Sequence, residues 1–354
     1  MKLFTVGPVE MYSETLNVAG KQIPYFRTDE FSGLMLEADK LLHKHIFAPI
    51  GAKTIYLTTS GTGAMEATIM NCFNENDKLL IVSGGTFGYR FVQICIAHRI
   101  PYTEIRLSME EDLTKERLEE FNGKGYTGFL VNIHETSIGK LYPLKLITEF
   151  CKKNNLYLIV DAISSIFADE FNMENSNIDA AIFSSHKALA LSPGISFVVL
   201  SPRLIQERVK RNSINSIYFN FNDYLNNFER GQTPFTPAIG VLLEFANMMQ
   251  YIEDMGLEKK IERTHALSKY FRNAAINYGF HIPQYNLSNA LTPLLFESNA
   301  KRIFQYLMDK YGYVVTPSGG DLADKLLRIG HMGNLSEEDY DALLAAILDV
   351  KEKL

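Results

Sequence analysis

The sequence predicts an α/β fold with a mostly parallel central sheet and a smaller C-terminal α+β domain. Short, continuously apolar runs alternate with helical patterns as far as residue 200. Such runs are typical of strands in a parallel sheet whose two faces are covered by helices. Polar residues recur directly after these runs, at the carboxyl ends of strands, where open sheets bind their ligands. From about residue 236 the pattern changes to long helices with few strands.

The length favours two domains. At 354 residues the chain exceeds the usual size of a single domain. We expect a large α/β domain at 1–235 and, joined to it through a long helical stretch, a small domain at 236–354. Residues 1–30 are a candidate for packing on the small domain.

The composition predicts a soluble, cytoplasmic globular protein. The net charge of -6 argues against a nucleic-acid partner, because binding phosphates requires clustered positive charge. No apolar stretch approaches the roughly 18 residues that span a membrane, and the N-terminus lacks the apolar core of a signal peptide. Cys72, Cys95 and Cys151 are far apart and form no CxxC pair, so we expect neither a zinc site nor a disulfide framework.

In residues 1–47, the positions of glycine and proline and the spacing of apolar residues predict the first elements. Residues 1–30 look irregular because Gly and Pro interrupt them. A helix is predicted at 31–47, with an apolar set formed by Leu34, Leu36, Leu41 and Leu42. Within that helix His43 and His45 would point about 200° apart, so they do not share a metal ion and no metal site is expected.

The remaining elements alternate as the fold class requires. Strands are predicted at 55–57, 78–83, 127–133, 156–160, 179–185 and 195–200. Helices are predicted at 64–73, from the Gly-rich turn 84–88 through His98, and at 144–154. The second domain has a predicted helical stretch at 237–278, strands at 291–296 and 325–333, and helices at 301–311 and 336–353.

The turn Ser60-Gly61-Thr62 is a candidate phosphate site. It links a predicted strand to a predicted helix, and the free N–H groups at a helix N-terminus attract anions. It matches neither the GxGxxG nor the GxxxxGK[ST] pattern. A plain helix cap is the alternative interpretation of the same residues.

Lys187 is a candidate for covalent catalysis. It lies in SSHKALALSPG, among small and apolar residues that follow a buried strand. Desolvation there would disfavour the ammonium form and lower the pKa of the amine, and such a lysine can attack a carbonyl to form a Schiff base. Taken alone, a solvent-facing lysine at a strand end is the more frequent case.

Further candidate site residues lie after other predicted strands. Asp161 could keep a ring nitrogen of a bound pyridoxal phosphate protonated, or it could cap a turn. Phe87 could stack on a flat ring, or it could belong to the core. Thr136 and Ser137 could bind a ring hydroxyl, or they could be turn residues. Arg328 could bind a carboxylate or form a structural salt bridge.

In this order the motifs resemble those of the class V aminotransferases, pyridoxal-phosphate enzymes of fold type I. This family includes alanine–glyoxylate, serine–pyruvate and 2-aminoethylphosphonate–pyruvate transaminases. The resemblance runs over nearly the whole chain. It rests on the segments FTVGPVEM, TSGTGAMEA, HETSIGKLYP, VDAISS, SSHKALALSPG, QTPFTPAI and RIGHMG.

The resemblance implies a role for each matched position. Lys187 forms the Schiff base and then moves the proton, Asp161 pairs with the ring nitrogen, and Thr136 meets the ring hydroxyl. Phe87 stacks on the ring where many members have tryptophan, which this chain lacks. The phosphate and substrate contacts are assigned to Ser60, Gly61, Thr62 and His186 (phosphate), to Thr233 (phosphate of the neighbouring subunit) and to Arg328 (substrate carboxylate). Arg230 lies where members differ and receives no role.

We therefore expect a homodimeric aminotransferase with shared active sites and pyridoxal 5'-phosphate as its cofactor. The donor would be 2-aminoethylphosphonate, alanine or serine, and the acceptor pyruvate or glyoxylate. One alternative is a lyase such as a cysteine desulfurase, which needs a thiol in the C-terminal third, whereas no cysteine follows Cys151. Another is a non-catalytic nucleotide-binding protein with a similar sheet.

Overall fold

The computed structural model describes residues 1–351 and 353. Its strands are short, with two or five residues each. In chain order they are β1 Lys2–Leu3, β2 Lys53–Leu57, β3 Leu79–Ser83, β4 Tyr102–Arg106, β5 Gly128–Asn132, β6 His134–Glu135, β7 Lys140–Leu141, β8 Tyr157–Asp161, β9 Ala180–Ser184, β10 Ser196–Leu200, β11 Leu291–Leu295, β12 Tyr313–Val314, β13 Thr316–Pro317 and β14 Leu326–Gly330.

The α-helices alternate with these strands through the first two hundred residues and dominate thereafter. They are α1 Ser13–Ala19, α2 Asp29–His45, α3 Gly61–Cys72, α4 Thr86–Ala97, α5 Lys115–Glu119, α6 Leu144–Asn154, α7 Pro202–Leu204, α8 Phe221–Phe228, α9 Ile239–Met255, α10 Leu257–Asn277, α11 Ala300–Tyr306 and α12 Glu337–Lys351. Two π-helical turns, Ile205–Val209 and Leu307–Tyr311, extend α7 and α11, and a 3₁₀ turn covers Gly320–Leu322.

A seven-stranded sheet forms the centre of the molecule, in the order β2-β10-β9-β8-β5-β3-β4. Only β10 runs against its neighbours: it is antiparallel to both β2 and β9, and the other adjacent pairs are parallel. Six strands therefore end at the same edge of the sheet. The predicted α/β class with a mostly parallel sheet is confirmed.

Both faces of this sheet are buried at its centre, which explains why its central strands are continuously apolar. Alternate strand residues enter two separate cores, as the period of two in a strand dictates. Val131 and Val160 pack with Leu42 of α2 and Phe245 of α9 on one face. The neighbouring residues Leu130 and Ile159 belong to the other core, together with Met65 of α3 and Phe91 of α4.

A three-stranded antiparallel sheet, β11-β14-β13, is the centre of the C-terminal part. Residues of α10, α11 and α12 form its core with Leu294 and Leu327. The N-terminal strand β1 pairs with β12, and Phe4 lies in the same core at 1% exposure. The division of the chain at residue 235 stays a prediction.

The structure differs from the expected elements in several places. Residues 13–19 form helix α1 although the segment 1–30 looks irregular, and β4 was not predicted. In α2, Leu34 and Leu36 are exposed, whereas Phe31, Met35 and Ala38 are buried with Leu41 and Leu42. The reason is geometric: positions 31, 35, 38 and 42 share one helical face, and positions 34 and 36 do not.

The helical stretch predicted at 237–278 is two helices. It breaks between α9 and α10 at Gly256, whose φ of 95° lies in the left-handed region. The last predicted helix extends to residue 353, and its position 352 lies outside the described residues. Across residues 1–351 and 353, none of the helices is long and apolar enough to cross a bilayer.

Candidate active site

The carboxyl-terminal edge of the large sheet carries most of the predicted site residues. The segment containing Ser60 follows β2, Phe87 follows β3, and Thr136 follows β5. Asp161 is the last residue of β8, and Lys187 follows β9, the strand that pairs with β8. Because these strands run in the same direction, their ends meet at one edge, which is the usual ligand site of an open α/β sheet.

Lys187 is a buried lysine with a depressed pKa. Only 8% of it is exposed. Burial, reinforced by the positive charge of Arg328 and opposed by Asp161, lowers the pKa of its amine from 10.5 to about 8. About a tenth of such an amine is uncharged at pH 7, a far larger share than for an ordinary lysine, and the uncharged form is the one that attacks carbonyl carbon.

The N-terminal segment lies directly against this lysine. A Cβ atom on Gly7 would come within 2.6 Å of Lys187 Cδ and 2.8 Å of its Cε. Gly7 also has a φ of 141°, which side chains rarely adopt. A larger residue at position 7 would therefore strain the backbone and displace the end of the lysine side chain, and the backbone of residue 7 lies against the lysine stem.

Asp161 is held rigidly at the end of β8. Its Oδ2 accepts a hydrogen bond from Asn132 Nδ2 at 2.7 Å, and its Oδ1 accepts one from the backbone N–H of Ile163 at 2.9 Å. Burial raises the pKa of this carboxyl from 3.8 to about 6, although both hydrogen bonds lower it. The carboxylate is thus ionised at neutral pH and fixed in direction.

Thr136 belongs to a buried polar cluster behind β5. Its Oγ1 lies 2.6 Å from Ser164 Oγ, and Ser164 Oγ lies 2.9 Å from His134 Nδ1. All three residues are at most 3% exposed. Burial first, and then the charges of Lys187, Arg272 and Arg328, lower the pKa of His134 to about 3, whereas the Ser164 carbonyl raises it. His134 is therefore neutral at physiological pH.

Glu135 connects the aromatic candidate to the rest of the site. Its carboxylate is fully buried and accepts hydrogen bonds from the backbone N–H groups of Phe87 at 3.2 Å and Gly88 at 2.8 Å. Those groups lie in the first turn of α4, where a negative charge is stabilised by the helix dipole. The Ser137 hydroxyl also donates to Glu135, at 2.5 Å. Phe87 is thereby fixed at the sheet edge, with its side chain half-buried.

Arg328 reaches from β14 of the small sheet into this group. Its Nη1 donates to the Thr136 carbonyl at 3.0 Å and its Nη2 donates to the Pro317 carbonyl at 2.7 Å. Burial lowers the pKa of the guanidinium to about 10, and Glu135 opposes that shift. Among the described residues, no carboxylate forms a hydrogen bond with Arg328. An anionic ligand could therefore pair with its positive charge.

The phosphate candidates lie at the start of α3. Ser60 is the residue before the helix and makes no side-chain capping bond, so the first backbone N–H groups of α3 face outward for an anion. His186 precedes the buried lysine. Burial, and to a smaller extent the positive charge of Lys187, lower the pKa of His186 to about 4. A neutral imidazole can donate one hydrogen bond to a phosphate oxygen.

Two candidates lie apart from these contacts. The Thr233 hydroxyl donates to the Phe235 carbonyl at 2.7 Å, and the Thr233 carbonyl accepts from Arg27. Arg230 is exposed and donates to Asn227. The hydrogen bonds described for Thr233 and Arg230 connect neither of them to Lys187, Asp161 or Arg328.

Three site residues went unassigned in the sequence analysis: His134, Glu135 and Ser164. His134 and Glu135 lie in the segment HETS, and Ser164 lies in the run VDAISS. Both segments are motifs of the family resemblance, but the contacts between them are not visible in the sequence. An acidic residue directly after an apolar strand was an available signal for Glu135. Nothing in the sequence indicates that Ser164, and not Ser165, meets Thr136.

The arrangement fits pyridoxal phosphate. Several buried polar atoms around Lys187 lack partners in the described part of the chain: Asn132 Oδ1, His134 Nε2 and Arg328 Nε. Such atoms are normally satisfied by water or a ligand. An uncharged amine for an aldehyde, a fixed carboxylate for a ring nitrogen and open N–H groups for a phosphate are the donor set this cofactor requires.

Comparison with known proteins supports this chemistry. A family model described as aminotransferase class-V matches residues 9–289. An uncharacterized aminotransferase of Methanocaldococcus jannaschii is 29% identical over 365 residues, covering 99% of this chain and 92% of that protein. A 2-aminoethylphosphonate–pyruvate transaminase of Phocaeicola vulgatus is 28% identical over 312 residues, covering 84% of each.

The fold is likewise similar to a solved structure. The alanine–glyoxylate aminotransferase of Nostoc sp. superposes with a TM-score of 0.91 at 25% identity, covering 98% of this chain and 94% of that chain. The match includes the small C-terminal sheet as well as the large one, because nearly all of both chains is aligned.

Proposed function

The chain belongs to the class V aminotransferases, enzymes of fold type I that depend on pyridoxal phosphate, and from this we propose that it moves an amino group from a small donor to pyruvate or glyoxylate. The donor is 2-aminoethylphosphonate, alanine or serine. The observation that carries the proposal is the pairing of Lys187, an amine whose pKa burial lowers to about 8, with the fixed carboxylate of Asp161.

In this proposal the cofactor supplies an aldehyde carbon and a pyridine ring that accepts electrons. Lys187 Nζ would hold the aldehyde carbon of the cofactor and would serve as the base and acid that moves the proton during amino transfer. Asp161 holds a proton on the ring nitrogen. Phe87 orients the ring, Thr136 meets its hydroxyl, and Ser60, Gly61, Thr62 and His186 hold its phosphate.

The acceptor class is supported by Arg328 and by two relatives. Arg328 offers a partly buried guanidinium that suits the carboxylate of a 2-oxoacid. The Phocaeicola relative is named for pyruvate and the Nostoc one for glyoxylate. Both acceptors are small 2-oxoacids, so one guanidinium would serve either.

A cysteine desulfurase activity lacks support. That chemistry needs a reactive thiolate, whereas Cys72, Cys95 and Cys151 are all buried. Burial raises the pKa of the Cys95 thiol to about 12 and raises those of Cys72 and Cys151 as well. These thiols behave as core residues.

We also infer a homodimer in which Thr233 serves the phosphate of the neighbouring subunit. Exposed apolar side chains in the N-terminal third, among them Ile23, Tyr25 and Ile50, offer a surface that a second copy of the chain could cover. Sedimentation velocity over a range of concentrations measures this directly, and a monomer at micromolar concentration would contradict the shared site.

The central test is chemical labelling of the lysine. Borohydride treatment of the purified holoenzyme should attach the cofactor permanently to the peptide that contains Lys187, as detected by mass spectrometry. Lys187→Ala should bind no cofactor covalently and lack transaminase activity, whereas Lys145→Ala, a change at an exposed lysine, should behave as the wild type. Labelling of a different lysine would refute the assignment.

The donor is identified by half-reactions. Wild-type holoenzyme is mixed with each candidate amine in the absence of an oxoacid, and the visible absorption of the cofactor is followed. A true donor removes that absorption within one turnover, and added pyruvate or glyoxylate restores it. If no oxoacid restored it, an aminotransferase would be the wrong reaction class.

A further inference from the structure

His134, Ser164 and Thr136 form a buried chain of hydrogen bonds whose direction can be worked out. His134 Nδ1 lies 3.2 Å from the backbone carbonyl oxygen of Ser164 and 2.9 Å from its Oγ. Ser164 Oγ lies 2.6 Å from Thr136 Oγ1, and Thr136 Oγ1 lies 3.3 Å from the His134 carbonyl.

The Ser164 carbonyl decides the tautomer of His134. A carbonyl oxygen only accepts, so Nδ1 must carry the hydrogen, because a bare Nδ1 would place two lone pairs against each other. A neutral imidazole has one N–H, and Nε2 is buried with no partner in the described chain. With the hydrogen on Nδ1, no buried donor of this ring is left without an acceptor.

The direction of the two hydroxyls follows from that tautomer. If Ser164 Oγ accepts from His134 Nδ1–H, its own hydrogen can go to Thr136 Oγ1 at 2.6 Å or to the His134 carbonyl at 3.5 Å. The first contact is much the shorter, so the hydrogen is donated to Thr136 Oγ1. Thr136 Oγ1 then accepts from Ser164, and its hydrogen is available to a further acceptor, currently the distant His134 carbonyl. With the opposite tautomer, Ser164 Oγ would donate its hydrogen to His134 Nδ1, and Thr136 Oγ1 would donate its hydrogen to Ser164 Oγ. Thr136 would then present only a lone pair to a ligand.

We propose that His134 and Ser164 are positioning residues that orient the Thr136 hydroxyl so that it donates its hydrogen to the ring oxygen of the cofactor. The proposal rests on the proposed function, which places Thr136 at that oxygen. Neither His134 nor Ser164 needs to touch the cofactor. A ring oxygen that carries negative charge gains a directed donor, and charge-assisted hydrogen bonds are the stronger kind.

The chain offers a matched control for this network. Ser165 is the next residue, is also buried, and has a hydroxyl whose only described contact is the Ala162 carbonyl at 3.5 Å. Ser164→Ala and Ser165→Ala therefore remove the same atom from neighbouring buried sites. Only the first change breaks the chain to Thr136.

The test measures affinity of the cofactor-free protein for pyridoxal phosphate. We expect Ser164→Ala to raise Kd about three- to tenfold, the usual effect of one hydrogen bond, and Ser165→Ala to leave Kd unchanged. Thr136→Val should raise Kd at least as much as Ser164→Ala. The double variant should bind no worse than Thr136→Val alone, because Ser164 acts through Thr136. Additive losses, or equal effects of Ser164→Ala and Ser165→Ala, would overturn the relay.

A second measurement does not need the cofactor. Nitrogen-15 NMR of the wild-type imidazoles distinguishes the two tautomers, and the His134 signals are assigned by their loss in His134→Asn. A protonated Nδ1 supports the relay, and a protonated Nε2 overturns it. A wild type that fails to bind pyridoxal phosphate overturns the proposed function instead, and that failure appears before any variant is compared.

Discussion

At the scale of single residues, the site is assembled from groups that are unfavourable to bury. Lys187, Asp161, Glu135 and Arg328 are charged or chargeable and lie together at a sheet edge. Desolvation dominates the pKa shifts of Lys187, Asp161 and Arg328. Perturbed groups gathered in one place are typical of functional sites, and they cost stability.

Lys187 should destabilise the cofactor-free protein in a pH-dependent way. Its folded pKa of about 8 lies below its ordinary value of 10.5, so below pH 8 the full cost of burying the charge is present. The folded state loses the proton first, and stability relative to a neutral residue rises between pH 8 and 10.5. Lys187→Met should therefore be more stable than the wild type by a few kcal/mol at pH 7.

Urea unfolding of the cofactor-free proteins at pH 7 and pH 10 checks this expectation. The advantage of Lys187→Met should shrink at the higher pH. Lys145→Met, at an exposed position, should stay within about 0.5 kcal/mol of the wild type at both values. A Lys187→Met variant less stable than the wild type at pH 7 would show that the amine is not penalised by burial.

Glu135→Gln should destabilise the protein although the side chains have the same shape. One carboxylate oxygen becomes an amide that donates, and it would face the N–H groups of Phe87 and Gly88 or the Ser137 hydroxyl. We expect a loss of about 2 kcal/mol in the free energy of unfolding, measured by urea titration. Glu149→Gln, an exposed substitution on α6, serves as the comparison. Equal stability of the two variants would mean that Glu135 is not needed as an acceptor.

How far the sequence predicts the site depends on the kind of residue. Lys187 and Asp161 could be proposed because each lies at the end of a buried apolar strand or just after it, within a segment that resembles a family motif, SSHKALALSPG and VDAISS. The hydrogen-bond partners of Glu135 and Ser164 could not be predicted, because these contacts join segments about thirty residues apart or more, such as the bonds of Ser164 to His134 and of Glu135 to Phe87. Which hydroxyl meets which partner is set by tertiary packing.

At the scale of elements, the break between α9 and α10 is set by a single residue. Gly256 has φ 95° and ψ 132°, and its added Cβ would meet no atom within 4 Å. The restriction is therefore one of backbone conformation and not of space.

A matched pair of glycine substitutions separates these effects. Gly256→Ala should lower the free energy of unfolding by about 1 kcal/mol or more, because the residue cannot adopt this conformation without strain. Gly33→Ala, at an exposed helical position in α2 that also has open space, should raise it by about 0.5–1 kcal/mol. Thermal unfolding of both variants gives the answer, and a stabilising Gly256→Ala would be inconsistent with the left-handed conformation.

Elements with a clear helical spacing or a continuous apolar run were predicted well. Elements that mix polar and apolar residues were not. The helix at 144–154 begins and ends where expected, and the strands at 78–83 and 195–200 are correct within one residue. The edge strand β4 is YTEIR, half-exposed on most of its length, so it lacks the apolar run of a central strand. The antiparallel direction of β10 has no local signal, because strand direction is fixed by connections and not by composition.

At the scale of the whole molecule, the first residues connect the small sheet to the lysine. β1 pairs with β12, Phe4 packs against Tyr313 and Tyr340 with ring centroids 5.5 and 6.0 Å apart, and Gly7 lies against Lys187. The segment thus bridges the C-terminal core and the large sheet's edge through noncovalent contacts at both ends.

Phe4→Ala should loosen this link. Removing a buried aromatic ring should cost about 3–5 kcal/mol, and amide hydrogen exchange should accelerate most in β12 and β14. Tyr25→Ala, at a side chain that is 71% exposed, should change stability by less than about 0.5 kcal/mol. Protection unchanged in β12 and β14 would show that the C-terminal core does not depend on the N-terminal segment.

The same segment bears on how the gene is translated and cloned. The reading frame has a second methionine at position 11, and a polypeptide started there would lack Lys2–Leu3, Phe4 and Gly7 altogether. Such a product would retain every side chain of the sheet edge. It would lack Phe4 from the core of the C-terminal part, and water would reach the side chain of Lys187. An expression clone begun at that codon would therefore yield a less stable protein than one that includes residues 1–10.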